Sequence, residues 1–529
     1  MKAFLLLIGA MLPVAALATD TGPVVAVTGG RVQGARLESG GAVFKGIPYA
    51  QPPVGKLRWR EPAPVTPWPE VRGATQFGAL CAQNPYFGTS PAVSASQEDC
   101  LYLNVWTPQW PSESTKPVMV WIPGGGNFAG GSLGGISDGE KLSKHGVVVV
   151  TINYRLGLFG FFAHPALTRE SAHHASGNQG LLDQIAALRW VRANITAFGG
   201  DPSNVTIFGN SAASLDVSVL MTSPLSRGLF QHVIGQSGTV DLLGEPQTRA
   251  QAERTGQSLA SRWKLREQSI AAMRAVPAAE ILKSEPDDVH ELPPNLRISV
   301  DGYVVPTRPA DVFAAGKEHA VDLLIGNTSR ETIPEVDPPS NLAQAIRERY
   351  GPLADRALPL YFAADDSLYG PPNNQWVTDT VFRCPTVSEL MWHAAAGHAA
   401  YEYQFDRAPP GHESTGAEHS QEMEYVFGNF GARKSLPAES FNATDKELSE
   451  TIQQYWVNFV KTGDPNGGTL PHWPPFRTEA REYMEFTDAG AVPSIGLRRP
   501  FCDLYIEHRR RNGGSMLDHT VRRSSGGGR

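Results

Sequence analysis

A short β-branched segment runs into a tight turn and then into a helix-forming segment in Asn204-Val-Thr-Ile-Phe-Gly-Asn-Ser-Ala-Ala-Ser-Leu-Asp216. Ser211 stands in the turn, two residues after Gly209. A strand-to-helix turn of this kind raises a serine hydroxyl above the sheet and points the next backbone N–H at a developing oxyanion. Taken alone, the stretch is equally well explained by an ordinary Ser/Asn turn before a helix. The rest of the chain has to decide between the two interpretations.

Predicted strands alternate with predicted helices on both sides of this turn. Pro117–Ile122 is a continuous apolar run, typical of a strand covered on both faces, and Leu181–Phe198 has apolar residues at helical spacing. Further strands are predicted at Phe230–Gly235 and Val321–Ile325. This alternation predicts an α/β fold with a mostly parallel central sheet flanked by helices.

The remaining segments predict a single domain over residues 19–508. Hairpins are expected near the N-terminus, and Phe44–Trp59 is predicted to be an ordered loop because four Pro or Gly residues fall within ten positions. Residues 245–320 and 335–395 are more helical and less regular; since no clear linker precedes them, they are predicted to be insertions above the sheet. The basic, Gly/Ser-rich tail 509–529 is expected to be disordered.

The N-terminus has the pattern of a secretory signal peptide. Met1-Lys2 is followed by an apolar run from Ala3 to Leu12 and by Ala16-Leu17-Ala18, so cleavage is expected after Ala18. The apolar run is too short for a membrane anchor, and no later stretch of about 18 apolar residues is present. The sequence therefore predicts a secreted or periplasmic protein without a stable membrane anchor.

The composition is that of an ordinary globular protein. A formal net charge of -7 and a pI near 6.1 give no electrostatic reason to expect a nucleic-acid partner. The four cysteines are Cys81, Cys100, Cys384 and Cys502, an even number in an exported chain, which suggests two disulfides with three possible pairings. Proximity in sequence favours Cys81–Cys100 and Cys384–Cys502, and four buried free thiols are the alternative.

Three consecutive glycines follow a buried strand in Trp121-Ile-Pro-Gly-Gly-Gly-Asn-Phe128. Glycines allow the backbone to approach a ligand closely, with no side chain in front of the N–H groups. As an oxyanion hole, this run would offer the N–H groups of Gly125 and Gly126, together with that of Ala212. The alternatives are a flexible turn and a phosphate loop, and the phosphate loop is disfavoured because no Lys-Ser/Thr follows.

A serine nucleophile needs a base, and the base needs a carboxylate that orients it. Glu331 falls in the loop after the Val321–Ile325 strand, and His419 falls in a loop after a strand at Tyr401–Phe405. The order serine, carboxylate, histidine is the one found in α/β-hydrolases. Other acids lie nearby, namely Asp322, Glu335 and Asp337. Asp322 is disfavoured because it begins the strand, at the wrong edge of a parallel sheet.

Further motifs resemble the type-B carboxylesterases, the cholinesterase-related branch of the α/β-hydrolases, from about Val24 to Cys502. These motifs are Phe44-Lys-Gly-Ile-Pro-Tyr-Ala50, Pro52-Pro-Val-Gly-Lys-Leu-Arg-Trp59, Glu98-Asp-Cys-Leu-Tyr-Leu-Asn104, Asn153-Tyr-Arg-Leu-Gly-Leu-Phe-Gly160, Gly177-Asn-Gln-Gly-Leu-Leu-Asp183, Phe198-Gly-Gly-Asp-Pro202 and Gln236-Ser-Gly238. Jointly they are highly specific.

The resemblance implies an α/β-hydrolase fold with helical insertions over the active site. It also implies that the protein hydrolyses a small-molecule ester. No metal and no other cofactor are expected. It implies a Ser-Glu-His triad and an oxyanion hole at the positions already considered, and it supports both proximal cysteine pairings. It also implies a buried Arg58–Glu98 ion pair and a hydrogen bond of Ser237 near the acid. The triad that it implies is Ser211, Glu331 and His419, and the oxyanion hole that it implies is Gly125, Gly126 and Ala212.

Five positions depart from the family's usual pattern. Pro123 replaces His or Tyr, and Asn127 stands before the phenylalanine that usually follows the glycines directly. Asn210 replaces the Glu before the serine, Ala213 replaces the last glycine of Gly-x-Ser-x-Gly, and Ser420 replaces the Gly that often follows the histidine. We therefore expect a pocket that is altered around an intact triad.

Two other functions remain open at this point. An acyltransferase would use the same acyl-enzyme, with an alcohol in place of water as the acceptor. A non-catalytic cholinesterase-like binding protein is a second alternative, although such chains usually lose a triad residue. A true cholinesterase is disfavoured, because residues 82–99 contain no tryptophan to hold a quaternary ammonium and Asn210 removes a nearby negative charge.

Overall fold

The computed structural model describes residues 22–85, 96–242, 244–267, 269–285, 298–332, 338–362, 368–433 and 435–512. The expected signal peptide, Glu335, Asp337 and residues 513–529 lie outside these ranges.

The chain alternates strands and helices, as expected for an α/β fold. The strands are β1 Val24–Val27, β2 Gly30–Gln33, β3 Ala35–Arg36, β4 Ala42–Pro48, β5 Val71–Gly73, β6 Tyr102–Thr107, β7 Lys116–Ile122, β8 Val148–Ile152, β9 Gly200–Asn210, β10 His232–Gln236, β11 Gln247–Thr248, β12 Ser299–Val300, β13 Asp322–Thr328, β14 Ala400–Phe405, β15 Glu482–Thr487 and β16 Gly490–Ile495. The helices are α1 Glu140–Ser143, α2 Gly157–Gly160, α3 Pro165–Glu170, α4 Gln179–Asn194, α5 Ala212–Leu220, α6 Arg249–Arg262, α7 Ile270–Arg274, α8 Ala278–Leu282, α9 Pro309–Ala314, α10 Leu342–Tyr350, α11 Ala354–Phe362, α12 Pro372–Val377, α13 Cys384–Ala395, α14 Met423–Phe427, α15 Ala443–Thr462 and α16 Arg499–Arg511. A π-helical segment, Thr378–Arg383, joins α12 to α13.

In the described residues, eleven strands form the main sheet, in the order β16-β15-β14-β13-β10-β9-β7-β8-β6-β4-β3. The six neighbouring pairs from β8 to β15 are parallel, and the four outer pairs are antiparallel. The mostly parallel sheet predicted from the alternation of strands and helices is therefore confirmed.

The central strand β7 shows why its sequence is a continuous apolar run. Val118, Val120 and Ile122 pack into the apolar core that contains α4, whereas Met119 and Trp121 pack on the opposite face, in the core that contains α15. All five side chains are almost completely buried. Burying one such side chain contributes roughly 1.5–3 kcal/mol, so both faces of the sheet hold the fold together.

The parallel strands carry the loops of interest to one edge of the sheet. Gly235 of β10 is paired with Gly209 of β9 on one side and with Ile325 of β13 on the other. The strands β9, β10, β13 and β14 therefore end at the same edge, where open α/β sheets bind their ligands. The loops that follow them contain Ser211, Ser237, Glu331 and His419.

The loop predicted over Phe44–Trp59 is wrong in its first part. The strand β4 continues to Pro48 and pairs antiparallel with β6, with an irregularity between Phe44 and Ile47. Gly46 lies within this irregularity at φ 67°. The glycine thus accommodates a bulge inside a strand rather than ending it.

Residues 509–511, which the sequence predicted to be disordered, are instead the end of a helix. Helix α16 continues to Arg511, and Arg509 is buried in an ion pair with Asp241. A buried arginine with an acidic partner anchors the last helical turn, and basic composition alone did not reveal that partner.

Two disulfides and one ion pair expected from the resemblance are confirmed. Cys81 bonds Cys100, and Cys384 bonds Cys502, which joins α13 to α16. The Arg58 guanidinium makes a two-pronged contact with the Glu98 carboxylate, at 2.5 and 2.6 Å.

Candidate active site

Ser211 occupies a strained turn between β9 and α5. Its backbone has φ 61° and ψ -126°, a conformation that costs a non-glycine residue roughly 1–3 kcal/mol. Its N–H donates to the Gln236 carbonyl oxygen at 2.8 Å, which fastens the turn to the neighbouring strand. A Cβ at Gly209 would lie 2.6 Å from the Ala213 methyl, so only glycine lets the helix start this close to the strand. The turn thus presents Ser211 at the edge of the sheet.

Glu331 and His419 meet at this edge. The Glu331 Oε2 atom lies 2.5 Å from His419 Nδ1. The carboxylate is fully buried, and its Oε1 accepts the Thr328 N–H at 2.7 Å, which fixes its orientation. Because Nδ1 faces the acid, Nε2 is the ring nitrogen left to exchange a proton with another group.

The loop of His419 is fastened to the turn of Ser211. The Ser420 hydroxyl donates to the Asn210 Oδ1 atom at 2.5 Å. This hydrogen bond joins the residue after His419 to the residue before Ser211, so the two loops lie side by side. Ser420 has φ 66°, a conformation in which glycine is unstrained. Two departures from the family pattern therefore form one contact.

Glu422, which the sequence did not single out, lies behind the same contact. Its Oε1 atom is 3.3 Å from both Asn210 Nδ2 and Gln236 Nε2. Burial, followed by the charge of Glu331, raises the pKa of Glu422 to about 7. Its position three residues after His419 was the only signal in the sequence.

The glycine loop, defined here as residues 124–126, lies against the turn of Ser211. A Cβ at Gly124 would lie 2.2 Å from the Asn210 carbonyl oxygen and 3.4 Å from Ser211 Cβ. Gly125 and Gly126 have φ 123° and 64°. The same turn starts α5, whose first N–H groups, including that of Ala212, have no acceptor within the helix. The structure thus places Gly124, the residue before Gly125, against the turn that leads into Ala212.

Ser237 differs from its expected role. It lies after β10 with φ 55°, and its N–H donates to the Gly326 carbonyl oxygen at 2.8 Å. Its buried hydroxyl has no hydrogen-bond partner among the described residues, so the hydrogen bond near the acid implied by the resemblance is not formed. The resemblance gave the residue's place in the fold but not the orientation of its hydroxyl.

Two polar residues pack behind the glycine loop. Asn127 is buried at φ 64°, and its side chain reaches Asp216 of α5. Asp216 was not recognised from the sequence, although a charged residue inside the apolar helix Ala212–Leu220 was an available signal.

The competing acid Asp322 serves a different histidine. It begins β13, and its Oδ2 atom lies 2.8 Å from His232 Nδ1. Its position at the start of a parallel strand places it at the edge opposite Glu331.

In the described ranges, no three or more His, Cys, Asp and Glu side chains come together as metal ligands would. None of the described helices has the length and apolar character needed to cross a bilayer.

Comparison with known proteins identifies the family. The model of the carboxylesterase family matches residues 21–344 and 363–503. The chain belongs to the carboxylesterase family. Among curated carboxylesterase relatives, the fumonisin B1 esterase of Sphingopyxis macrogoltabida is 36% identical over 506 residues, covering 92% of this chain and 90% of that protein. The para-nitrobenzyl esterase of Bacillus subtilis (strain 168) is 36% identical over 488 residues, covering 88% and 94%.

The solved structures agree with this assignment. A para-nitrobenzyl (PNB) esterase structure superposes with a TM-score of 0.80 at 34% identity, covering 92% of this chain and 99% of its own. The fold is therefore the α/β-hydrolase fold of carboxylesterases, and the chain is a carboxylic ester hydrolase.

Proposed function

We propose that this carboxylesterase is an exported serine esterase, with Ser211 as nucleophile, His419 as general base and Glu331 as the carboxylate that orients the base. The observation that carries the proposal is the 2.5 Å contact between Glu331 and His419 Nδ1, in a loop that Ser420 fastens to Asn210, next to Ser211. The strained backbone of Ser211 supports its role, because strain of this kind concentrates at functional sites.

The proposed reaction proceeds through an acyl-enzyme. Ser211 Oγ attacks the ester carbonyl carbon and gives its proton to His419 Nε2, while Glu331 stabilises the imidazolium. The N–H groups of Gly125, Gly126 and Ala212 bind the oxyanion. Collapse of the tetrahedral intermediate breaks the C–O bond, and the leaving alcohol takes the proton from His419. Water then attacks the acyl-enzyme by the same route and releases the acid.

We infer a small-molecule ester as the substrate. Two relatives at 36% identity are named as esterases of fumonisin B1 and of para-nitrobenzyl compounds. A panel of para-nitrophenyl esters with increasing acyl length therefore suits a first assay. Adding an alcohol to the assay distinguishes a hydrolase from an acyltransferase. A transferase would pass the acyl group to the alcohol and form a new ester as its main product, whereas a hydrolase would release mainly the acid.

Covalent labelling tests the nucleophile. An organophosphate is expected to modify Ser211 and abolish activity, and Ser211→Ala is expected to stay folded without measurable turnover. Ser237→Ala is the matched control, because Ser237 also has a positive φ and follows the neighbouring strand. Labelling at Ser237, or undiminished turnover of Ser211→Ala, would refute the assignment.

Export is supported by the two disulfides and by the N-terminal pattern. The exported protein is expected to begin at Thr19 and to contain no free thiol. Intact-mass measurement of protein from the periplasm or medium checks both points. Full-length chain found only in the reducing cytosol would contradict this part of the proposal.

A further inference from the structure

The proposed oxyanion hole consists of two parts on different elements, so something must fix the distance between them. The glycine loop follows β7, whereas Ala212 begins α5. Three glycines have no side chains with which to hold their own position, and Gly125 and Gly126 both have left-handed φ values. Errors of about 1 Å in such a site cost roughly a hundredfold in rate.

Asn127, the next residue, makes hydrogen bonds with its side-chain amide nitrogen, its side-chain oxygen and its backbone carbonyl oxygen. Its Nδ2 donates to Asp216 Oδ1 at 2.9 Å, and its Oδ1 accepts the Tyr154 hydroxyl at 2.7 Å. Its carbonyl oxygen accepts the Gly157 N–H at 2.8 Å. The Tyr154 hydroxyl also lies 3.0 Å from the carbonyl oxygen of Pro123, on the other side of the glycine loop. The Tyr154 hydroxyl, whose single proton these two oxygens share, therefore contacts the chain on both sides of the glycine loop.

Asp216 provides the connection to the nucleophile helix. It lies five residues after Ser211, is completely buried, and accepts Gln184 Nε2 at Oδ2 at 2.6 Å. In the described part of the chain, no lysine or arginine pairs with it, so two amides take the place of a counterion. Burying an acid in this way is costly, which argues that the contact has a purpose beyond packing.

We propose that Asn127 and Asp216 are positioning residues that hold the glycine loop at oxyanion-binding distance from the N-terminus of α5. This inference rests on the proposed function. In the family's usual pattern a phenylalanine follows the glycines directly, and here Asn127 stands between them. The proposed role of Asn127 is to fix the glycine loop through its hydrogen bond to Asp216 in the helix that follows Ser211. Burial raises the pKa of Asp216 to about 7, while the amides of Asn127 and Gln184 favour its charged form.

Exchanging the two side chains provides the test. Asn127→Asp places two carboxyl groups against each other, and kcat per Ser211 titrated with organophosphate is expected to fall by about a hundredfold or more, with KM changed less than about threefold. In the double variant Asn127→Asp/Asp216→Asn, the new amide at position 216 donates to the new carboxylate at position 127. That carboxylate still accepts a hydrogen bond from the Tyr154 hydroxyl, and the side-chain amide oxygen at position 216 still accepts one from Gln184 Nε2. The exchange is therefore expected to restore kcat to within about tenfold of the wild type.

Asn194→Asp is the matched control for a buried amide. Asn194 Oδ1 accepts the Thr28 N–H at 2.7 Å, away from the glycine loop, so this variant is expected to lose thermal stability and keep its kcat. If Asn127→Asp does not fold, Tyr154→Phe removes a single hydroxyl from the same network, and a severalfold lower kcat at unchanged KM is expected.

The outcomes separate the two proposals. A folded Asn127→Asp with kcat within about twofold of the wild type overturns the positioning role, as does an exchanged variant that is as slow as the single one. An unchanged kcat in Tyr154→Phe, where that variant has to carry the test, overturns it too. Wild-type protein that the organophosphate does not label at Ser211 refutes the proposed function itself.

Discussion

Of the histidine–carboxylate pairs in the described residues, two lie beyond opposite ends of β13, and their positions decide which of these two can serve Ser211. His419 and Glu331 meet beyond the ends of β13 and β14, whereas Asp322 holds His232 at the start of β13. Both contacts have the geometry of an oriented imidazole. Only the first lies in loops that are fastened to the nucleophile turn.

At the residue scale, we expect Glu331→Gln to lower kcat by about a thousand- to ten-thousandfold with a smaller effect on KM. An amide cannot both hold the active tautomer of His419 and stabilise its imidazolium. Asp322→Asn is the matched control, since it alters the other pair equally and is expected to leave kcat within about twofold. Steady-state kinetics with a para-nitrophenyl ester checks both. Near-normal turnover of Glu331→Gln would remove Glu331 from the proposed triad.

The residues that the sequence did not reveal are those that do not stand in a loop after a strand. Ser211, Glu331 and His419 could be selected because each follows a strand. Asp216 lies inside α5 and Glu422 stands at the start of α14, so that rule did not select them. The contact of Ser420 with Asn210 depends on how two loops pack together, which sequence order does not give.

At the scale of elements, the close approach of β9 and α5 explains the altered elbow motif. Gly209 leaves room on the strand, and the Ala213 methyl fills it from the helix. Glycine is therefore needed on one side only. The sequence predicted the strand and the helix correctly. It could not predict that a methyl group fits on the helix side of their contact, at Ala213, because this depends on the distance between the two elements.

We expect Ala213→Gly to keep kcat within about threefold and to lower the free energy of unfolding by about 1–2 kcal/mol. Glycine costs about 1 kcal/mol in a helix, and losing a buried methyl adds to this. Gly209→Ala is the contrasting variant, because its methyl would collide with Ala213 and push the elbow apart. Urea unfolding and kinetics on the same samples check both. Equal tolerance of the two variants would show that the elbow is looser than the structure indicates.

For the whole molecule, buried carboxyl groups link stability to pH. Burial raises the pKa of Glu402 to about 8, and those of Asp216, Glu285, Glu389 and Glu422 to about 7. Each group binds its proton more tightly in the folded chain than in the unfolded chain. Their contribution is therefore fully present below about pH 4.5 and is lost as the pH rises through 7 to 8.

Glu402 is the best single probe of this linkage. It lies in the middle of β14, 1% exposed, and the positive charges of Arg383 and Arg481 offset only part of the effect of burial. Between pH 5 and 8, one such group lowers the free energy of unfolding by up to roughly 1.4 kcal/mol per pH unit. Glutamine resembles the protonated acid in shape and cannot ionise. Glu402→Gln is therefore expected to match the wild type at pH 5 and to exceed its stability at pH 8.

Urea unfolding with both disulfides intact, measured at several pH values from 5 to 8, tests this expectation. The exposed Glu447→Gln is the control for loss of a glutamate charge and is expected to run parallel to the wild type. If the free energy of unfolding of Glu402→Gln also follows that of the wild type at every pH, the pKa of Glu402 is not raised by folding. The pH dependence must then come from the other buried acids. If the wild type grows more stable towards pH 8, folding releases protons on balance. Histidines whose pKa is lowered by burial, such as His319, would then outweigh the buried acids, because they bind a proton less tightly in the folded chain.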